Sequence, residues 1–360
     1  MIRLAAVGDL MLGDSSTVVG FGLRSQYPGE RLVQVLAGLA PQLRSADLVI
    51  GNLECPLASV GIGGSRWSRD QMRGDIEYAR VLRDAGFNAV SLANNHAVQH
   101  GDAGFSATVE ALRAQRIAVL GLRGSAPWQA RPETYRHESG ATAALLAYSW
   151  RPRQYGSGPP PYAELLPEAV LADVARARDS HDSVIVSLHW GEEFVTQPSS
   201  IELEFAHALV EKGADVILGH HPHVVRPVEV WRGSVIAYSL GNAVTDMVWM
   251  ESLRRGLLVE VELGRAVPPL VLHRIRVEDD YRSRLVRDHD EYTAAELLPH
   301  DGQSYETAAR MGLLAQRFAS YWHTLHNLHR FPPEVLKQLV WTTLENRLRA
   351  TLKRIQSTTE

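Results

Sequence analysis

Five apolar, strand-like runs each end in side chains able to hold a divalent cation. Ile2 to Val7 ends in Gly8 and Asp9. The run that starts at Ala46 ends in Gly51, Asn52 and Glu54. Phe87 to Ala93 ends in Asn94, Asn95 and His96, and Val184 to Leu188 ends in His189. The densest cluster follows Asp215-Val-Ile-Leu: Gly219, His220, His221, Pro222 and His223. His221 and His223 are two residues apart, so in extended backbone they point the same way and can share one cation or hold two neighbours. Each end taken singly has a simpler account: a turn for Asp9, a helix cap for the asparagines, a surface turn for the histidines. None of these explains the repetition. In an open α/β sheet the carboxyl ends of the strands line one crevice, so the five ends are expected to meet. Mixed nitrogen and oxygen donors with a carboxylate suit manganese, iron or zinc. The lack of cysteine ligands argues against a structural zinc. His96 would act as an acid or support a ligand from behind.

Such a crevice needs a layered α/β frame. Helical periodicity marks Gly29 to Leu43, Ile76 to Ala85, Gly104 to Gln115, Glu164 to Ser180 and Ile201 to Lys212, all set between strand-like runs. Further strands are expected at Ile117 to Leu122, Ala141 to Tyr148 and Val235 to Asn242. Alternation over Gly256 to Leu263 and Leu270 to Val277 predicts antiparallel strands. The loop from Ala58 to Arg73 carries Gly61, Gly63 and Gly64 but lacks the GxxxxGK[ST] phosphate-loop pattern. Its Arg66, Arg69 and Arg73 are candidates for a bidentate grip on an anionic substrate, with solvated loop charge as the competing account. Trp150 to Tyr162 is a loop rich in Pro and Gly. Beyond about Asp288 strand signals stop, and Glu306 to Asn327 and Pro333 to Ile355 read as amphipathic helices carrying Trp322 and Trp341. The expected division is therefore a domain over residues 1–287 and a helical extension over 288–360. The extension would cap the domain, cover the site or pair with a second copy. His323, His326 and His329 share one helical side, but no carboxylate stands at matching positions, so a packed or solvated face is expected there.

The chain has 360 residues, 45% of them hydrophobic and 22% charged, as in soluble globular proteins. A formal net charge of −4 gives no reason to expect a nucleic-acid surface. The single cysteine, Cys55, excludes an internal disulfide framework and reads as a packing residue. The first residues enter a strand directly, without a basic segment and apolar core of a signal peptide. No run of about 18 apolar residues is present. A cytoplasmic location without a membrane partner is the expectation.

Together, Gly8-Asp9, Asn52-Leu53-Glu54, Ala93-Asn94-Asn95-His96, His189-Trp190-Gly191, Gly219 to His223 and Tyr238-Ser-Leu-Gly-Asn242 resemble the CapA family. These are poly-γ-glutamate capsule-biosynthesis proteins, a branch of the calcineurin-like metallophosphoesterases. The resemblance covers residues 2 to 245 in the right order and leaves out the C-terminal helices. It implies a two-sheet αββα sandwich with a dinuclear site held by Asp9, Glu54, Asn95, His189, His221 and His223. Asn52 stands where the superfamily has its bridging Asp, and Glu54, being anionic, is favoured for that role. His96 would donate a proton or stabilise charge at a phosphoryl oxygen, while Asn94 and His220 are further candidates to contact substrate. The sequence also departs from the pattern: Met11 replaces a ligand His, Gln99 an acidic residue, His100 a Tyr and Ala243 a Phe. A membrane anchor like that of capsule-assembly members is not expected. The implied activity is hydrolysis of a phosphoester on a small anionic substrate with two divalent ions. Two alternatives are an enzyme acting on γ-glutamyl or acyl-phosphate substrates and a non-catalytic metal-bearing binding protein. A GxGxxG after the first strand is absent, which disfavours a dinucleotide cofactor.

Overall fold

The structure is a computed structural model and describes residues 1–150, 155, 158–265, 268–286 and 305–338. The chain first lays down β1 (Ile2–Leu10), β2 (Leu48–Leu53), β3 (Ala89–Ser91) and β4 (Ala118–Leu120). It then builds β5 (Glu133–Arg136), β6 (Thr142–Ser149), β7 (Ser183–His189), β8 (Val216–His220), β9 (Val228–Trp231) and β10 (Ser234–Ala237). It closes with β11 (Asn242–Val244), β12 (Arg255–Leu263), β13 (Leu270–Val277) and β14 (Ser283–Leu285). The first and last groups form one sheet in the order β14-β13-β12-β1-β2-β3-β4, with β11 paired to β1. The middle group forms a second, β5-β6-β7-β8-β10-β9.

Period-two alternation explains the layering. In β6, Ala143, Leu145 and Ala147 enter the core shared with the first sheet, while Ala144, Leu146 and Tyr148 enter a second core. That second core is roofed by the helices Pro167–Ser180 and Ser200–Glu211, through Val170, Val174, Phe205 and Leu209. The helices Tyr78–Ala85 and Gly101–Ala114 add Leu82 and Leu112 to the first core. The expected α/β architecture of two packed sheets flanked by helices is what the chain adopts.

Two expected elements differ. The helix over Gly29 to Leu43 is three short turns, Gly29–Leu32, Val33–Leu36 and Ala40–Leu43. Gly38 forms a bridge to Arg284, leaving no room for a Cβ beside Ser283 O, and Pro41 restarts the last turn. The strand over Val235 to Asn242 breaks after Ala237. Gly241, at φ +63°, turns the chain out of the second sheet so that Asn242–Val244 can pair with β1. This crossing stitches the two sheets together beside Asp9, whose N–H donates to Gly241 O at 2.9 Å.

The C-terminal part contains a helix over Tyr305–His326 and helical residues 333–338. Phe331 and Val335 pack against Val18, Val19 and Phe21, so this segment shares a small core with the body. Phe318 and Trp322 of the long helix face outward, 73% and 59% exposed. The expected helix beyond residue 338, with Trp341, lies outside the described residues. Among those residues no helix is long and apolar enough to cross a membrane.

Candidate metal centre

Parallel pairing aligns the strand ends. Asp9 is in register with Asn52 on one side and Asn242 on the other, and a bulge between Ala6 and Asp9 re-aims the carboxylate. In the second sheet His189 is in register with His220. Because the sheets face each other, the two sets meet.

Three groups of donors result. Glu54, His189 and His221 each offer a ligand atom with mutual separations within 4.8 Å; so do Asp9, Glu54 and His223, and so do Glu193, His221 and His223. Glu54 belongs to two of them. All six residues except Glu193 are buried. Asn95 Oδ1 lies 2.7 Å from His189 Nε2, on the His189 side. His221 and His223 sit at φ +95° and +58°, a region that costs a non-glycine residue about 1–3 kcal/mol and recurs at functional sites.

Neighbouring amides orient the donors. Asn52 Nδ2 donates to Asp9 Oδ1 at 2.8 Å, and Asn52 Oδ1 accepts from Asn94 Nδ2 at 3.1 Å. Asn94 also donates to Leu53 O at 2.9 Å. Asn52 and Asn94 thus hold the carboxylate and the strand end behind the donors. Asn242 Oδ1 accepts from His223 Nδ1 at 3.1 Å, and its amide donates to His223 O and Leu253 O. His220 Nδ1 is 3.2 Å from Asp9 Oδ1. Met11 is buried with its sulfur toward Thr245 Oγ1.

Electrostatics separates the carboxylates. Burial alone would raise Asp9, but contacts with His220 and His223 outweigh it and hold Asp9 well below the usual carboxylate range. Glu54 is raised well above its ordinary value by burial and by the Asp9 charge. Burial depresses His189 and pushes His96 down to about 4. For His223 burial is outweighed by Glu54 and Asp9, which bring the imidazole up to about 10. Both oxygens of Glu54 are buried without a hydrogen-bond partner. Leaving such atoms unpaired costs about 1–3 kcal/mol or more, and a divalent cation between Glu54 and the histidines would satisfy them. The donor set therefore fits a divalent metal.

The raised His223 makes a pH prediction. In the metal-free chain its pairing stabilises the fold fully below the ordinary imidazole value of 6.5 and is lost as pH rises through about 10. A cation needs a bare imidazole nitrogen, so binding must expel that proton. Manganese affinity is expected to rise about tenfold per pH unit between roughly pH 6.5 and 9. Calorimetric titration in buffers of different ionisation enthalpy should count at least one released proton; none released would contradict the His223–Asp9 pairing.

Of the three loop arginines expected at the site, two are held by partners of their own. Arg73 is buried, donating to Ala58 O at 2.7 Å and Ser59 O at 3.2 Å and pairing with Asp70 at 3.0 Å. Its guanidinium braces the glycine-rich loop from inside, which leaves no free fork for a substrate. Arg66 is exposed and pairs with Asp70 and Glu334, and Arg69 is exposed. His96 Nδ1 is 2.7 Å from Gln99 Oε1, and its ring lies 5.7 Å from that of Tyr155. Glu193 and Tyr155 escaped the sequence reading. The acidic pair after His189-Trp-Gly was the available signal for Glu193, whereas Tyr155 sits in a loop with no periodicity.

The PGA biosynthesis protein CapA of Bacillus subtilis (strain 168) is 31% identical over 282 residues, covering 76% of this chain and 72% of that protein. The capsule biosynthesis protein CapA of Bacillus anthracis is 28% identical over 260 residues, covering 69% of this chain and 61% of that one. Among solved structures, a putative 5'-nucleotidase from Staphylococcus aureus matches with a TM-score of 0.44 at 14% identity, over 86% of this chain; the chain spans 58% of that one's length. The profile described as "Bacterial capsule synthesis protein PGA_cap" matches residues 3–247, the stretch that carries every donor above. The chain belongs to that family, itself part of the metallophosphoesterase-like superfamily.

Proposed function

We propose that the chain is a divalent-metal-dependent hydrolase that cleaves a phosphoester at a dinuclear site. The observation that carries this is Glu54, a buried carboxylate with no hydrogen-bond partner on either oxygen, its Oε1 3.5 Å from His189 Nε2 and 3.9 Å from His223 Nε2, shared between an Asp9–His223 group and a His189–His221 group. Asp9, Glu54 and His223 would hold one cation. Glu54, Asn95, His189 and His221 would hold the other, with Glu54 common to both. When bound, the cations acidify a water and offset charge on the phosphoryl oxygens. The water would lose one proton to solvent, and its oxygen would bond to phosphorus as the phosphorus–oxygen bond to the leaving group breaks. His96 hands a proton to the departing oxygen. Gln99 holds Nδ1 and leaves Nε2 for that task, and an anionic substrate beside the ring favours the imidazolium. The test is metal content together with turnover of an aryl phosphate monoester and diester. Two bound cations with turnover support the proposal. Cations without turnover on any substrate would leave a metal-bearing binding protein.

His96→Asn is expected to lower kcat about 10²- to 10⁴-fold at unchanged metal content, read by steady-state kinetics and elemental analysis. An unchanged kcat would remove His96 from the chemistry.

A second reading is favoured by relatives named for PGA and capsule biosynthesis: the same donors act on a γ-glutamyl amide or an acyl phosphate. Comparing products from aryl phosphates and γ-glutamyl peptides separates the two. Under either reading we propose residues 1–287 as the unit that bears the chemistry.

A further inference from the structure

The donor groups are unequal in a way that singles out Glu193. The His189 side has four donors: Glu54, Asn95, His189 and His221. The Asp9 side has three, Asp9, Glu54 and His223, because Met11 turns its sulfur to Thr245. Four protein or solvent donors are the usual minimum for a transition metal. Glu193 offers a carboxylate oxygen within 4.8 Å of ligand atoms on both His221 and His223.

The backbone around Glu193 is built to hold it there. Arg226 is 2% exposed and donates to Glu192 O at 3.1 Å and Val195 O at 2.7 Å, on either side of Glu193. Its charge is met by buried Glu202 at 2.6 Å. Phe194 N donates to Pro222 O at 2.8 Å, tying the segment to the His221–His223 turn. Gly191 and Phe194 adopt φ +78° and +66°. A Cβ on Gly191 would lie 2.4 Å from Glu202 Oε1, so only glycine fits that close approach. The positive φ of bulky Phe194 persists because bonds on both sides fix it. Among the described residues the Glu193 carboxylate has no hydrogen-bond or ion-pair partner.

We propose that Glu193 is an additional metal ligand, completing the shell of the cation held by Asp9, Glu54 and His223. This assignment rests on the two-cation reading above. It predicts that the weaker of two manganese ions depends on Glu193. The test is calorimetric Mn²⁺ titration and electron paramagnetic resonance of the full chain, as wild type, Glu193→Gln and Glu193→Asp. Wild type is expected to bind two ions with an exchange-coupled signal. Glu193→Gln is expected to keep the first ion and weaken the second at least about tenfold, losing the coupled signal at stoichiometric metal. Glu193→Asp, which keeps the charge, should recover part of the loss. Thermal unfolding in chelator should be unchanged in both variants. Two ions bound to Glu193→Gln with wild-type affinity overturn the Glu193 assignment alone. A wild type that binds fewer than two overturns the two-cation reading and this assignment with it.

Discussion

Glu54→Gln is expected to weaken both divalent cations at least about a hundredfold and to bring hydrolysis to background. The metal-free variant should nevertheless unfold no more easily than wild type. Glutamine has nearly the same shape, and neither oxygen of Glu54 takes part in a hydrogen bond that the change would break. Burial and the Asp9 charge raise the Glu54 carboxyl well above its ordinary value. For a carboxyl raised on folding, the stability it allows is complete below the unfolded value near 4.5 and is lost as pH rises through the folded value. Glu54 itself should therefore contribute a loss of metal-free stability as pH climbs from about 4.5, seen as the difference between wild type and the amide variant. Chelator-treated unfolding from pH 4 to 8, beside Mn²⁺ titration, tests both halves. Two-cation binding that survives the substitution would strip Glu54 of its shared role. A metal-free loss above about 2 kcal/mol would make Glu54 a structural residue instead.

How much of this centre is legible in the sequence depends on distance from a strand end. Asp9, His189, His221 and His223 are readable because each stands at or just beyond the carboxyl end of an apolar run, and parallel pairing sets Asp9 beside Asn52 and His189 beside His220. The sandwich itself is readable from β6, where every second residue joins the same core. Asn52 illustrates a limit. Its type allows ligation, but in the fold its amide nitrogen faces Asp9 while its oxygen accepts from Asn94. Arg73 illustrates another, since an arginine in a glycine-rich loop looks like solvated charge or an anion grip until the carbonyls of Ala58 and Ser59 are found around it. Glu193 is the hardest. It lies four residues beyond the end of β7, and its direction is set by Arg226, which is more than thirty residues further along the chain.

That dependence makes Arg226 the second site of large effect. Arg226→Met is expected to destabilise the metal-free fold by about 3–5 kcal/mol, the usual cost of leaving a buried charge without its partner. Glu202 Oε1 loses the guanidinium at 2.6 Å, while Oε2 still accepts from Ser199 N and Oγ at the start of the helix Ser200–Glu211. Glu192 O and Val195 O lose their donor as well. Neutralising the stranded acid should return part of the loss, so Glu202→Gln with Arg226→Met should cost less than the two single changes summed. Urea unfolding of the four proteins gives the coupling directly. The same single variant frees the segment that carries Glu193, so its second Mn²⁺ should weaken even at temperatures where the protein stays folded. A loss under about 1 kcal/mol would mean that water reaches Glu202 when the guanidinium leaves. The clamp would then be too soft to hold the Glu193 carboxylate in place.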